Sequence, residues 1–186
     1  MRIEETSIEG VVIVYPKVHK DARGYFFENY REDVYRQFGL PTKFVQDNQA
    51  FSHKNSLRGL HYQLKHPQGK LVRVTQGAVY DVAVDIRKGS PTYKQYIGAT
   101  LSDENHKMMY IPEGFAHGYL VLSETAIFQY KCTDIFHPED EYGLKWNDSA
   151  IGIDWEIAEP VLSEKDSNLP LLKDLNQRHL PIYGDL

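Results

Sequence analysis

Cysteine is nearly absent from this chain. Cys132 is the only one in 186 residues, so no disulfide can form within the chain. Long apolar runs are missing as well: nothing approaches the ~20 consecutive apolar residues that a bilayer-crossing helix needs. The opening MRIEETSIEG carries neither the basic flank nor the apolar segment of a secretory signal. The expectation is a soluble, cytoplasmic protein without a membrane partner. Positive charge is also in short supply, with 21 Lys and Arg against 26 Asp and Glu and a formal charge of -5. That balance argues against a nucleic-acid surface, which works through clustered cations that release counterions. It leaves a small anion open, because two or three well-placed cations hold a diphosphate whatever the net charge.

Repeats, low-complexity tracts and Pro/Ser linkers are lacking, and a single domain over residues 1–186 is expected. Several catalytic signatures are lacking too. No GxSxG turn suggests a nucleophilic hydrolase, and no GxGxxG opens a helix after a strand. Eight histidines invite a metal reading. However, no His-x-His pair occurs, and His61, His66 and His117 have no carboxylate at ligand spacing. No metal is expected. HPQGK matches no phosphate loop, and a turn over Pro67 to Gly69 is the simpler reading.

What the chain does have is Tyr, Phe, Gly and Pro spread throughout, without a long Leu/Ala/Glu/Lys-rich stretch, which favours strands over helices. Nine or more short apolar segments lie between turn residues, among them GVVIVYP, FVQDNQAFS, SLRGLHYQL, KLVRVTQGAVYDVAVDI, KMMYIP, GYLVLS and AIFQYKCTD. The class is all-β, a sandwich or barrel. One helix fits Glu32 to Phe38, with acids in its first turn and Gly39 at its end. Near the C-terminus Ser163 is a candidate N-cap, and Pro170 restricts that region to helical turns within a loop. Lys70 to Ile86 reads as two strands joined at Gly77.

Strand parity singles out polar residues on apolar faces. Lys70 shares a face with Val72 and Val74, which places an ammonium among valines. Tyr130 shares one with Ala126, Phe128 and Cys132, a pattern that on this run alone favours a core tyrosine with a satisfied hydroxyl over a pocket tyrosine. His61 and Gln63 share a face, while Arg58 points the other way unless the chain bends at Gly59. Without such a bend, the pair reads as an exposed arginine and a buried histidine.

The segments DARGYFFENY, VQDNQAFSHKNSLRGLHYQ, GKLVRVTQGAVYDVAVDIRKGSPTY, IPEGFAHGYLVLSETAIFQYKC and LSEKD together resemble the dTDP-4-dehydrorhamnose 3,5-epimerase family over nearly the whole chain. The most specific piece is LRGLHYQ followed in order by KLVRV, GFAHG and the tyrosine of QYKCT. The resemblance implies a cupin jelly roll, that is a double-stranded β-helix, with a few short helices. It also implies a homodimer without metal or organic cofactor, and epimerisation of a dTDP-4-keto-6-deoxyhexose at C3 and C5 on the way to L-rhamnose.

Roles follow from the same resemblance, residue by residue. His61 is implied as the general base, Asp166 of LSEKD as its orienting partner, Lys70 as the cation beside the enolate oxygen and Tyr130 as the proton donor. Gln46, Asn48, Arg58, His117, Glu141 and Lys165 are implied as substrate-binding positions, and Phe136 as the aromatic that stacks on thymine. Arg23 and Glu28 are implied to reach the site of the neighbouring subunit. Asn147 and Ser149 depart from the family's Asp and Pro, and Phe136 lacks the hydroxyl of the commoner tyrosine; none of these touches the implied proton path. Three rivals stand: an epimerase acting at C3 alone or C5 alone, a non-catalytic sugar-binding jelly roll, and a metal-dependent oxygenase, which stoichiometric iron in elemental analysis would favour.

Overall fold

The computed structural model describes residues 1–185. Its strands are β1 (Arg2–Glu5), β2 (Val12–Tyr15), β3 (His19–Asp21), β4 (Gly24–Phe26), β5 (Gln46–His53), β6 (Leu57–Gln63), β7 (Lys70–Gln76), β8 (Ala78–Asp85), β9 (Tyr96–Ser102), β10 (Met108–Ile111), β11 (Phe115–Val121), β12 (Thr125–Cys132) and β13 (Glu141–Gly143). Helices are few and short: α1 (Glu32–Gln37), α2 (Glu164–Ser167) and three 3-10 turns among the described residues. Six strands form one sheet in the order β1-β2-β10-β7-β12-β5, and five form a second in the order β13-β6-β11-β8-β9. β3 and β4 make a separate hairpin. This is the all-β jelly roll that the resemblance implies.

The two sheets face each other across a core that takes Val72, Val74, Met109, Ala126 and Phe128 from one side and Val79, Ala83, Leu101, Tyr119 and Val121 from the other. The expected parity therefore holds: Val72 and Val74, and Ala126 and Phe128, all point between the sheets. Both outer faces are covered as well. Val14, Leu71, Met108 and Tyr110 of the six-stranded sheet lie under Tyr35 of α1 and Leu40. Val82, Val84 and Leu120 of the five-stranded sheet lie under Leu144, Trp155, Leu172 and Leu180 from the C-terminal third of the chain. Each fully buried side chain of this size contributes roughly 1.5–3 kcal/mol.

Double coverage explains where the strand reading fell short. β11 is buried at every position, so it shows no alternation, and it begins at Phe115 rather than within GYLVLS, which puts His117 inside a strand. β1, β3 and β13 have few apolar residues and lie at edges or in the small hairpin. The first helix matches its expected position to within one residue, with Leu40 N donating to Tyr35 O at 3.0 Å beyond its end. Ser163 caps α2 by accepting from Asp166 N at 3.0 Å.

Gly77 joins β7 and β8 as expected, but the two strands belong to different sheets, so the glycine makes a corner rather than a hairpin. Its φ is +78, and a Cβ there would lie 2.2 Å from Thr125 O and 2.3 Å from Ser123 Oγ. Gly77→Ala is expected to cost about 1–3 kcal/mol or more, read as a lower denaturation midpoint with unchanged m-value.

Candidate active site

Glycine also decides how the site is built. In β6 and β11 His61 pairs with His117 and Arg58 with Tyr119, so Gly59 and Leu60 together oppose Gly118. Gly59 has φ +105, and a Cβ on it would lie 2.5 Å from His117 O and 2.8 Å from Gly118 Cα. Only a residue without a side chain allows this approach. The resulting bulge brings Arg58 and His61 to one cavity, despite their opposite parity in a regular strand.

That cavity holds about 450 Å³ between the two sheets. From the five-stranded sheet it is lined by Arg58, His61, His117 and Tyr119, from the six-stranded sheet by Lys70, Phe128 and Tyr130, and from the C-terminal segment by Lys165 and Asp166. His61 Nε2 lies 2.7 Å from Asp166 Oδ1. Glu141 stands beside them, with Oε1 at 3.7 Å from His61 Nδ1 and its other oxygen paired with Lys165 Nζ. His117 Nε2 lies 2.9 Å from Oδ2 of Asp81, a fully buried carboxylate.

Burial alone would raise the Asp166 carboxyl, yet it is held below its ordinary range. The hydrogen bond and charge of His61 do this, with help from the Ser163 hydroxyl and the Gly59 N–H. Burial pulls the Lys70 ammonium down, against the opposing influence of Cys132, Glu141 and Asp81. Tyr130 is pushed up to about 12, mainly by burial and then by the neighbouring Cys132 and Tyr119, so it carries its proton at neutral pH. A carboxylate-oriented imidazole, an ammonium and a protonated phenol in one cleft can remove a proton, steady an oxyanion and return a proton. Among the described residues no three His, Cys, Asp or Glu side chains form a metal-holding group.

The sequence model of dTDP-4-dehydrorhamnose 3,5-epimerase matches residues 5–174. The chain belongs to the dTDP-4-dehydrorhamnose 3,5-epimerase family. The enzyme of that name from Salmonella typhimurium (strain LT2) is 51% identical over 92% of this chain and 96% of its own length. The crystal structure of dTDP-6-deoxy-D-glucose-3,5-epimerase from Legionella pneumophila in complex with dTDP-4-keto-L-rhamnose superposes with a TM-score of 0.95. It is 48% identical and covered, like this chain, to 98%. A 3'-monoepimerase from Streptomyces bikiniensis, solved in complex with dTDP-quinovose, is 35% identical with a TM-score of 0.90, over 96% of this chain and 92% of that one.

Set beside the family's pattern, the remaining expected positions fall in two groups. Gln46 and Asn48 lie on β5, beside β12, without lining the cavity themselves: Asn48 pairs with Tyr130 across the ladder and donates to Cys132 Sγ at 3.6 Å, while Gln46 Oε1 accepts from Phe136 N at 2.8 Å. Arg23, Glu28 and Phe136 do not line the cavity of their own chain. Arg23 sits on the β3–β4 hairpin bound to Asp21, Glu28 pairs with Arg31, and Phe136 is 46% exposed. Asn147 and Ser149 lie in the segment over the outer face of the five-stranded sheet, and neither lines the cavity.

Two site residues escaped the sequence reading. Asp81 shares its face with Val79 and Ala83, the same signal that marked Lys70, and could have been found by it. Tyr119 looks like any core aromatic in GYLVLS, and nothing local marks its hydroxyl.

The depressed Asp166 carboxyl sets a pH signature. A folded pKa below the unfolded value of about 3.9 contributes stability that is fully present above that value and is lost as pH falls through the folded one. Asp166→Asn is expected to lower stability by about 1–3 kcal/mol near neutrality. In urea titrations across pH, the gap to wild type should close below about pH 4.

Proposed function

We propose that this chain converts dTDP-4-dehydro-6-deoxy-D-glucose to dTDP-4-dehydro-L-rhamnose by inverting C3 and C5, as a step towards dTDP-L-rhamnose. The carrying observation is that His61 and Tyr130 line one cavity from opposite sheets. Inversion needs a base on one face of the sugar and an acid on the other, which two facing walls provide.

In this reading His61, held by Asp166, takes the proton from the carbon beside the C4 ketone. The C–H electron pair becomes the C=C bond of an enolate, and the carbonyl π electrons move to oxygen, where Lys70 offers its charge. Tyr130 then donates its proton to the same carbon from across the ring, and solvent restores both groups. Repetition at the second carbon completes the product. No redox change occurs, so side chains alone supply the chemistry and no cofactor is invoked. Each positioned acid or base typically contributes roughly 10²- to 10⁴-fold.

Arg58, Lys165 and His117 are positioned to bind the anionic nucleotide sugar, with Gln46, Asn48 and Glu141 beside them and Phe136 at the rim for the thymine. The substrate class is supported by the related structures that hold dTDP-4-keto-L-rhamnose and dTDP-quinovose. We assign the working form to a cytoplasmic homodimer of single-domain chains, spanning residues 1–186, in which Arg23 and Glu28 enter the partner's site. Support comes from the hairpin that carries Arg23. It stands apart from both sheets and presents Tyr25 and Phe26, 56% and 68% exposed, an aromatic surface that a second subunit would cover. Among the described residues no helix is long and apolar enough to cross a membrane.

Similarity to the 3'-monoepimerase favours a second reading, inversion at one carbon with the same base and acid. The test is incubation of metal-stripped protein with dTDP-4-keto-6-deoxy-D-glucose in D2O, beside His61→Ala, with deuterium counted at C3 and C5 by NMR. Two deuterons, an L-configured product and a 10²- to 10⁴-fold slower mutant are expected. Exchange and inversion at one carbon would establish the monoepimerase instead. Tight binding without exchange would leave a sugar-binding module.

A further inference from the structure

Two residues beyond His61 on β6, Gln63 is 5% exposed and does not line the central cavity. A buried amide is kept only where hydrogen bonds compensate its lost hydration, so its partners show what it is for. All of them are backbone groups of two loops. Gln63 Oε1 accepts from His137 N at 2.7 Å, and its Nε2 donates to Ile135 O at 3.2 Å and to His66 O at 2.6 Å.

Two of these partners belong to the peptide groups on either side of Phe136. The carbonyl of Ile135 precedes that residue and the N–H of His137 follows it, so one side-chain amide clamps both. The N–H of Phe136 itself donates to Gln46 Oε1 at 2.8 Å, from β5 in the other sheet. Neighbouring contacts brace the same loops. Asp140 Oδ2 accepts from Lys65 N at 2.7 Å and His66 N at 2.8 Å, and the rings of His66 and His137 stack with centroids 3.8 Å apart. The Phe136 ring, in contrast, is held out to solvent at 46% exposure. An exposed aromatic on a backbone fixed at three points is a stacking surface already in place before anything binds.

We propose that Gln63 is a positioning residue for nucleotide recognition, presenting the Phe136 ring as a preformed platform for the thymine. This rests on the stacking role assigned to Phe136 above and extends it to a group that touches no ligand. β6 then carries both the proposed base and the clamp, so the reacting end and the nucleotide end of the substrate are referred to one strand. Holding the platform in advance spares the ordering cost that a loose aromatic would add on association.

Gln63→Met keeps the length of the side chain and removes all three hydrogen bonds. Gln63→Asn keeps an amide but draws it back by one methylene, and serves where the first variant does not fold. Each is measured for dTDP binding by calorimetry and for steady-state kinetics on dTDP-4-keto-6-deoxy-D-glucose, alone and combined with Phe136→Ala. Either clamp variant is expected to weaken dTDP binding roughly tenfold and to raise KM in step, with kcat within about twofold. Phe136→Ala is expected to weaken binding about 10- to 100-fold. Adding a clamp variant to it should change nothing further, because Gln63 acts only through that ring. Unchanged dTDP binding in a folded clamp variant overturns the inference, even with a lower Tm, which would make Gln63 a structural group. A loss that persists in full beside Phe136→Ala also overturns it, as does a loss confined to kcat, which would place the effect at His61. If Phe136→Ala binds dTDP as wild type does, the stacking role falls and the clamp with it; if Phe136 matters and Gln63 does not, the clamp alone falls.

Discussion

The 2.7 Å contact between His61 Nε2 and Asp166 Oδ1 ties β6 to a single helical turn 105 residues further along the chain. Asp166 is 4% exposed, and a carboxylate so far from water is tolerated only when charge and hydrogen bonds compensate it. His61, the Ser163 hydroxyl and the Gly59 N–H supply that compensation together. The same contact fixes which way the imidazole points, and so which of its nitrogens is left for the cavity. Gly59 serves twice, since its lack of a side chain permits the bulge that places His61 and its amide serves Asp166.

A similar economy governs the opposite wall. Lys70 and Tyr130 project between the sheets because strand parity puts them there beside Val72 and Phe128, and the jelly roll leaves this end of the interior open instead of filling it with apolar side chains. Asp81 and Glu141 temper the loss of hydration at Lys70, and Asp81 at the same time holds His117. The sandwich therefore does more than carry the site. Its two sheets hold the proposed base and the proposed acid apart on facing walls, and a planar intermediate between them is open to one on each face.

Local pattern was enough where a strand alternates. The inward faces of Lys70, Val72 and Val74, and of Tyr130, Phe128 and Cys132, could be read from spacing alone, as could α1 and the Ser163 cap. It failed where burial is two-sided, as in β11, where continuous apolar sequence hides the start of the strand. The pairing of His61 with Asp166 is a long-range contact that no local period encodes, and only the family resemblance of LRGLHYQ and LSEKD anticipated it. Arg23 and Glu28 pair with nearby charges of their own chain, Asp21 and Arg31, so their proposed part in a neighbouring subunit's site is carried by the family resemblance and not by local pattern.

The division of labour between facing walls is tested most directly by Tyr130→Phe in D2O, with configuration and deuterium at C3 and C5 followed together. With the base intact and the acid gone, the account predicts that deuterium enters the starting sugar with retained configuration, while inverted product forms at least roughly 10²-fold more slowly. Inversion at the wild-type rate would show that the proton comes from elsewhere than Tyr130 and would contradict the account.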